Sequence, residues 1–96
     1  MAAEKNFENK VKKFLDAEGC YFVKYWGGYL TKAGVPDLLV CVNGHFLGVE
    51  LKASNGKSSR LQLLNIEQIK KAGGIAMTLY PDDFEMFKNL IKDLKK

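Results

Sequence analysis

Asp37 and the run Glu50-Leu51-Lys52 lie on either side of an Asn43-Gly44 pair, and no other residues in the chain are better suited to chemistry. Asn-Gly between apolar runs marks a β-hairpin, because both central residues of a type I′ turn take positive φ. With Asn43 and Gly44 as the two-residue loop, Val42 faces His45, Cys41 faces Phe46, Leu39 faces Gly48 and Asp37 faces Glu50. Lys52, two residues past Glu50, points to the same face. Carboxylates set directly opposite each other repel. A divalent cation between them reverses that sign, and carboxylate oxygens suit Mg²⁺ or Mn²⁺. The competing reading is a solvated hairpin end on which Lys52 neutralises Glu50.

Hydrolysis of a phosphodiester is the chemistry such a group could perform. It needs a nucleophilic water, charge relief at phosphorus and help for the leaving oxygen, and a bound metal supplies the first two. Asp37 and Glu50 would hold the ion, and the backbone carbonyl of Leu51 would add a third oxygen. Lys52 would orient or deprotonate the water, or stabilise the phosphate oxyanion. Taken alone, Lys52 is equally a plain salt-bridge partner.

Two further residues have competing roles. Glu8 sits along the edge of an apolar helical stripe, three residues before Val11, where a carboxylate can reach over a sheet. It is either a metal ligand, direct or through water, or an acid favoured by the helix dipole. Gln62 is the third residue after Ser59, so it fits a capping box. It also shares a helix face with Ile66 and Ile69, and from there its amide would reach a water or a phosphate oxygen.

Lys57 and Arg60 flank the start of that helix, whose N–H groups favour phosphate. Gly56-Lys57-Ser58 resembles a phosphate-binding loop in part, but the first glycine of that motif would fall on Leu51, which excludes nucleotide hydrolysis on this pattern. Tyr25, Trp26 and Tyr29 surround a glycine loop, residues 27–34. They are core aromatics or stacking platforms, and Tyr29, inside the loop, is the better placed to stack on a base. Lys24 and Lys32, beside and within the loop, join Lys57 and Arg60 as nucleic-acid contacts.

The elements that must position these residues follow from periodicity. Residues 5–18 read as a helix through Phe7, Val11, Phe14 and Leu15, stopped by Gly19. Residues 20–26 read as a strand. Pro36 opens a second strand, where its missing N–H does little harm, and the apolar Leu38-Leu39-Val40-Cys41-Val42 implies a central strand covered on both faces. Residues 46–53 form its antiparallel partner. Ser59 caps a helix to about Ala72, residues 75–80 form a short strand, and Pro81 breaks it. Asp82 then caps a last helix with Glu85 at its third position. The expected fold is α/β, a mixed four-stranded sheet flanked by helices in the order α-β-β-β-α-β-α, with the second helix as the crossover to the fourth strand.

The chain has 96 residues, enough for a single domain over 1–96. A net charge of +4 at a sequence pI near 9.1 fits an acidic partner such as a phosphate backbone. Of the 15 basic residues only Arg60 is an arginine, which leaves little for bidentate reading of guanine and favours selection by shape. No apolar run approaches a membrane span, and Met1-Ala2-Ala3-Glu4-Lys5-Asn6 is no signal peptide, so a cytoplasmic protein with no membrane partner is expected. Cys20 and Cys41 are expected as buried free thiols. The single histidine, His45, lies beside the turn and reads as a surface residue.

Gly34-Val35-Pro36-Asp37 followed by Glu50-Leu51-Lys52, with Glu8 upstream and Gln62 downstream of a serine-rich loop, resembles the PD-(D/E)XK nuclease superfamily. Within it the chain looks most like the virus-type replication-repair nuclease (VRR-NUC) branch, as a small stand-alone viral or bacterial form. Archaeal Holliday-junction resolvases are similar neighbours. The resemblance runs from Glu8 to about Tyr80. It implies a restriction-endonuclease-like core, with Glu8, Asp37, Glu50 and the Leu51 carbonyl at Mg²⁺ or Mn²⁺, and Asp37, Glu50, Lys52 and Gln62 as the catalytic set. It also implies branched DNA such as four-way (Holliday) junctions as substrate, in replication or repair, and a homodimer. The alternatives are a non-catalytic DNA-binding module that keeps the fold, or a nuclease subunit that needs a helicase or replication partner. A viral form would act in the host cytoplasm.

Overall fold

The computed structural model describes residues 2–96; Met1 of the expected 1–96 domain lies outside them. Helix α1 (Ala2–Ala17) leads into β1 (Tyr21–Lys24), β2 (Leu38–Val42) and β3 (His45–Leu51). Helix α2 (Arg60–Lys71) then crosses to β4 (Ile75–Leu79), and α3 (Phe84–Leu94) closes the chain. The sheet order is β1-β2-β3-β4, antiparallel except for the parallel β3–β4 pair. This is the mixed sheet and element order that the sequence implies, and a parallel neighbour requires a crossover of the kind α2 provides.

The hairpin turn has φ of 49° at Asn43 and 82° at Gly44, both in the left-handed region that a type I′ turn demands. It sets the expected register: Val42 opposite His45, Cys41 opposite Phe46 and Leu39 opposite Gly48. Asn43 Nδ2 also donates to the Leu94 carbonyl at 3.0 Å, which ties the turn to the end of α3.

Alternation then sorts the side chains. Leu38, Val40, Val42, Leu47, Val49, Leu51 and Leu79 share one sheet face and pack with Phe7, Val11 and Leu15 of α1 and Phe87 and Ile91 of α3. Edge-to-face contacts of Phe84 with Phe7 and Phe14 join the two helices. Each fully buried Leu, Ile or Phe contributes roughly 1.5–3 kcal/mol, so the fold can carry the two buried acids Glu8 and Glu50. The last helix, whose apolar stripe could otherwise serve a dimer, spends Phe87 and Ile91 on its own core, and Met86 is exposed.

The opposite face is covered only over β3 and β4, where Ile66 and Ile69 of α2 lie. A Cβ at Gly48 would fall 2.7 Å from Ile69 Cδ1 and 3.0 Å from Pro36 Cγ. Over β1 and β2 this face is open. β2 is therefore not covered on both sides: Cys41 is exposed, as are Tyr21, Val23 and Phe46. The thiols differ from expectation for the same reason, since Cys20 is only half-buried and Cys41 lies on the uncovered face.

Element boundaries shift by up to three residues, and two of the shifts have a local cause. β2 begins at Leu38, not Pro36, because Pro36 has no N–H for the ladder and Asp37 turns its side chain into the next strand. No Asp82 capping box forms. Pro81–Asp83 make a 3₁₀ turn instead, and the residue before α3 is Asp83, without a side-chain cap. His45 is exposed, as its place beside the turn implies.

Candidate active site

The segment that delivers Asp37 is fixed by a glycine and a buried amide. Gly34 has φ of 81°, and a Cβ there would lie 2.8 Å from the Leu61 carbonyl oxygen and from Asn65 Nδ2. Asn65, buried in α2, donates to the Leu61 carbonyl at 2.9 Å and to the Ala33 carbonyl at 3.4 Å. The sequence reading missed Asn65; its signal was a polar residue set between Leu64 and Ile66 on an otherwise apolar turn.

Asp37 is then pinned from both sides. Its carbonyl accepts from Tyr25 N–H at 2.8 Å, and its Oδ2 accepts from Leu51 N–H at 2.9 Å. The carboxylate thus stands in for a main-chain acceptor at the strand end. In an extended strand the N–H and C=O of one residue point to the same edge, so the Leu51 carbonyl also faces Asp37. One step beyond the Leu38–Val49 pair, the register brings Asp37 level with Glu50.

Glu50 is 3% exposed. Its Oε2 accepts from Gln62 Nε2 at 2.8 Å and lies 3.4 Å from Lys52 Nζ. Its Oε1 is buried without a hydrogen-bond partner. Burial, reinforced by the nearby Asp37 charge, pushes the carboxyl up to about 7 despite the Lys52 ammonium.

Gln62 makes the anticipated capping box, and the other end of its amide meets Glu50. Its Oε1 accepts from Ser59 N–H at 2.7 Å while Ser59 Oγ accepts from Gln62 N–H at 3.1 Å, which completes the capping box. A backbone N–H can only donate, so the amide oxygen must face Ser59 and the NH₂ must face Glu50.

Glu8 is buried at 5% exposure and surrounded by amines. Lys24 Nζ donates to its Oε1 at 2.7 Å, Lys12 Nζ to its Oε2 at 3.2 Å, and Lys5 Nζ lies at 3.8 Å. Burial opposes the charge, but the hydrogen bonds and charges of Lys24 and Lys12 prevail and hold the carboxyl below its ordinary value. Lys24 Nζ is also 3.9 Å from Asp37 Oδ1. The Glu8–Lys12 pair was legible as an i,i+4 spacing. The Lys24 contact, sixteen residues away, was not.

Among the described residues no three His, Cys, Asp or Glu side chains converge on one point. Glu8 therefore stands apart from Asp37 and Glu50, with Lys24 between. The donor set that does fit a hard divalent cation is two mutually repelling carboxylates and a strand-end carbonyl. Within it the buried, partnerless Glu50 Oε1 is an acceptor without a donor. Mg²⁺, which keeps several of its waters, needs no more protein oxygens than these.

In the segments that link β1 to β2 and β3 to α2, and at the start of α2, Tyr29 is 97% exposed, Trp26 is 73% exposed, and Lys32, Lys57 and Arg60 are exposed. Trp26 and Tyr29 are thus surface aromatics, not core. The glycine loop is shaped by Thr31, whose Oγ1 accepts from Gly28 N–H at 2.7 Å, and by Tyr25, whose hydroxyl donates to the Lys32 carbonyl at 2.8 Å. The loop bearing Lys57 is tethered by the Tyr80 hydroxyl on the Gly56 carbonyl at 3.0 Å and by a Ser58–Thr78 hydroxyl pair at 2.8 Å. Lys24 differs from the other expected nucleic-acid contacts. Its side chain is 19% exposed and its ammonium is engaged by Glu8.

No family model matches the chain, and no curated protein matches it. A solved structure described as a VRR_NUC domain is similar over 94% of this chain and 95% of that chain, with 28% identity and a TM-score of 0.76.

Proposed function

Because the chain is a VRR-NUC domain, we propose that it is a Mg²⁺- or Mn²⁺-dependent endonuclease that cleaves branched DNA, such as four-way junctions, by shape. The observation that carries this reading is Glu50. It is a buried acid with one oxygen unpartnered and the other shared by Lys52 and Gln62, level with a second acid fixed at the neighbouring strand end. Nothing about a structural salt bridge requires the second carboxylate or the vacant acceptor.

Asp37, Glu50 and the Leu51 carbonyl would hold the cation, with Glu8 as the accessory acid. When bound, a divalent ion supplies charge relief at phosphorus and acidifies water. Lys52 reaches the same point from the next inward-facing position of the chain. Its ammonium is placed to hold a water or a non-bridging phosphate oxygen beside Glu50. Gln62 fixes the Glu50 rotamer, since its amide is itself held by the start of α2. Tyr29, Lys32, Lys57 and Arg60 offer an aromatic face and positive charges to the nucleic acid around the site. Positive charges without paired arginine forks favour backbone and shape over base sequence. A homodimer would present two such sites to the two strands of a junction. No helix among the described residues is long and apolar enough to cross a membrane.

The test is cleavage of labelled junction, forked and linear DNA by purified protein with Mg²⁺ or Mn²⁺. Junctions are expected to be cut, with Asp37→Ala inactive and Lys52→Ala reduced by about 10²-fold or more. No cleavage by the wild type, or equal cleavage by Asp37→Ala, rejects the catalytic reading. Cleavage that appears only with a helicase present would identify a partner-dependent subunit.

A further inference from the structure

The buried carboxylate of Glu8 is met by an amine. Lys24, at the end of β1, places Nζ 2.7 Å from Glu8 Oε1 and 3.9 Å from Asp37 Oδ1, with its side chain 19% exposed. One ammonium thus spans the acid on α1 and the acid at the start of β2. The same nitrogen lies 5.3 Å from the ring centroid of Trp26, the only tryptophan of the chain.

We propose that Lys24 is a resident cation of the site, which fills the gap between Glu8 and Asp37 in the metal-free protein and must move aside before Glu8 can join Asp37 at a divalent ion. The proposal rests on the metal-binding reading given above. Three observations support it. Glu8 is too buried to find solvent as an alternative partner, and its second oxygen is already held by Lys12. Asp37 Oδ2 is committed to Leu51 N–H, so its Oδ1 is the atom left for a cation, and that atom is the one Lys24 approaches. A lysine ammonium is a compact point charge on a flexible stem, so it can stand where a metal would and leave without rearranging the backbone. The exposed Trp26 ring gives the departing ammonium a nearby face to rest on.

While Lys24 stays, an arriving ion meets the field of only part of the acid cluster. Removing its charge exposes the ion to one more uncompensated carboxylate. Calorimetric titration of Mn²⁺ into wild type, Lys24→Met and Lys24→Arg tests this. Lys24→Met is expected to bind about tenfold more tightly or better. Lys24→Arg should stay within about threefold of wild type, because the charge is kept. Adding Glu8→Gln to Lys24→Met should cancel the gain. Equal or weaker binding by Lys24→Met overturns the proposal and leaves the metal site standing. Absence of Mn²⁺ binding by all of them overturns the metal reading and this inference with it.

A second measurement uses the unaltered protein and so holds even if Lys24→Met fails to fold. Trp26 emission should change along a Mg²⁺ titration with the same midpoint as calorimetry. Constant emission through a saturating titration overturns the displacement.

Discussion

Gln62 Nε2 donates to Glu50 Oε2 at 2.8 Å while its own Oε1 accepts from Ser59 N–H at 2.7 Å, so one amide joins the start of α2 to the buried acid of β3. Replacing it should disturb stability and chemistry together. Gln62→Ala is expected to destabilise the protein by about 1–2 kcal/mol through loss of the cap and the Glu50 hydrogen bond. Gln62→Glu keeps a capping-box residue but sets a third carboxylate beside Glu50. It should lower the melting temperature without metal and recover more of it than the wild type does on adding Mn²⁺. Thermal denaturation with and without Mn²⁺ distinguishes the two variants.

Glu50 makes the stability of the metal-free protein depend on pH. Its folded value of about 7 lies above the ordinary carboxylate value of 4.5, so between these limits the native state binds more protons than the unfolded chain. Stability should therefore fall as pH rises from about 4.5 to about 7, and flatten above. Glu8 has the opposite sign, and its contribution is lost only as pH falls through a value below 4.5, outside that window. Urea midpoints measured at intervals from pH 5 to 8 should show the decline, and Glu50→Gln should abolish it. Saturating Mg²⁺, which favours ionised Glu50, should reverse the slope.

Gly34 supports Asp37 at a distance of three residues. Gly34→Ala places a Cβ 2.8 Å from the Leu61 carbonyl in a left-handed backbone, and neither the carbonyl nor the helix carrying it can move freely. A loss of about 1–3 kcal/mol is expected. Because the turn delivers Asp37, Mn²⁺ affinity should fall as well, by calorimetry at a temperature where the variant is still folded.

Tyr29 has the reverse profile. At 97% exposure it contributes almost nothing to the core, so Tyr29→Ala should leave the melting temperature within experimental error. If it stacks on a base, DNA affinity should drop by about 1–3 kcal/mol, measured by fluorescence anisotropy with the inactive Asp37→Ala protein. Unchanged affinity would remove Tyr29 from the interface.

The hairpin was legible to the residue because a type I′ turn leaves no freedom of register: once Asn43-Gly44 is the loop, every cross-strand pair follows. The crossover was legible because a helical period stood between two short runs of strand character. Coverage of the sheet was not. An apolar run implies burial on both faces, but α2 roofs only β4 and the later part of β3, which leaves Cys41 of β2 and Phe46 near the start of β3 outside. The cap at Asp82 failed because Pro81 tightened the chain into a 3₁₀ turn first. Around the candidate site, Ser59 and Gln62 could be read because capping is local. The amines around Glu8 went unread: Lys12 stands at a readable i,i+4 spacing, but Lys24 reaches Glu8 by the path of the fold rather than by spacing.

The parallel pairing of β3 and β4 has a consequence for how this chemistry arises. Asp37 and Glu50 are placed by the meander of β1, β2 and β3, whose contacts are short in sequence, whereas Gln62 arrives on the excursion that must close before β4 can dock. Closing that excursion is the slow, non-local step of such a topology. A nascent or partly folded chain would then carry its acids in place but without the clamp that orients them. Competence to cut would thus appear all at once, with the last strand.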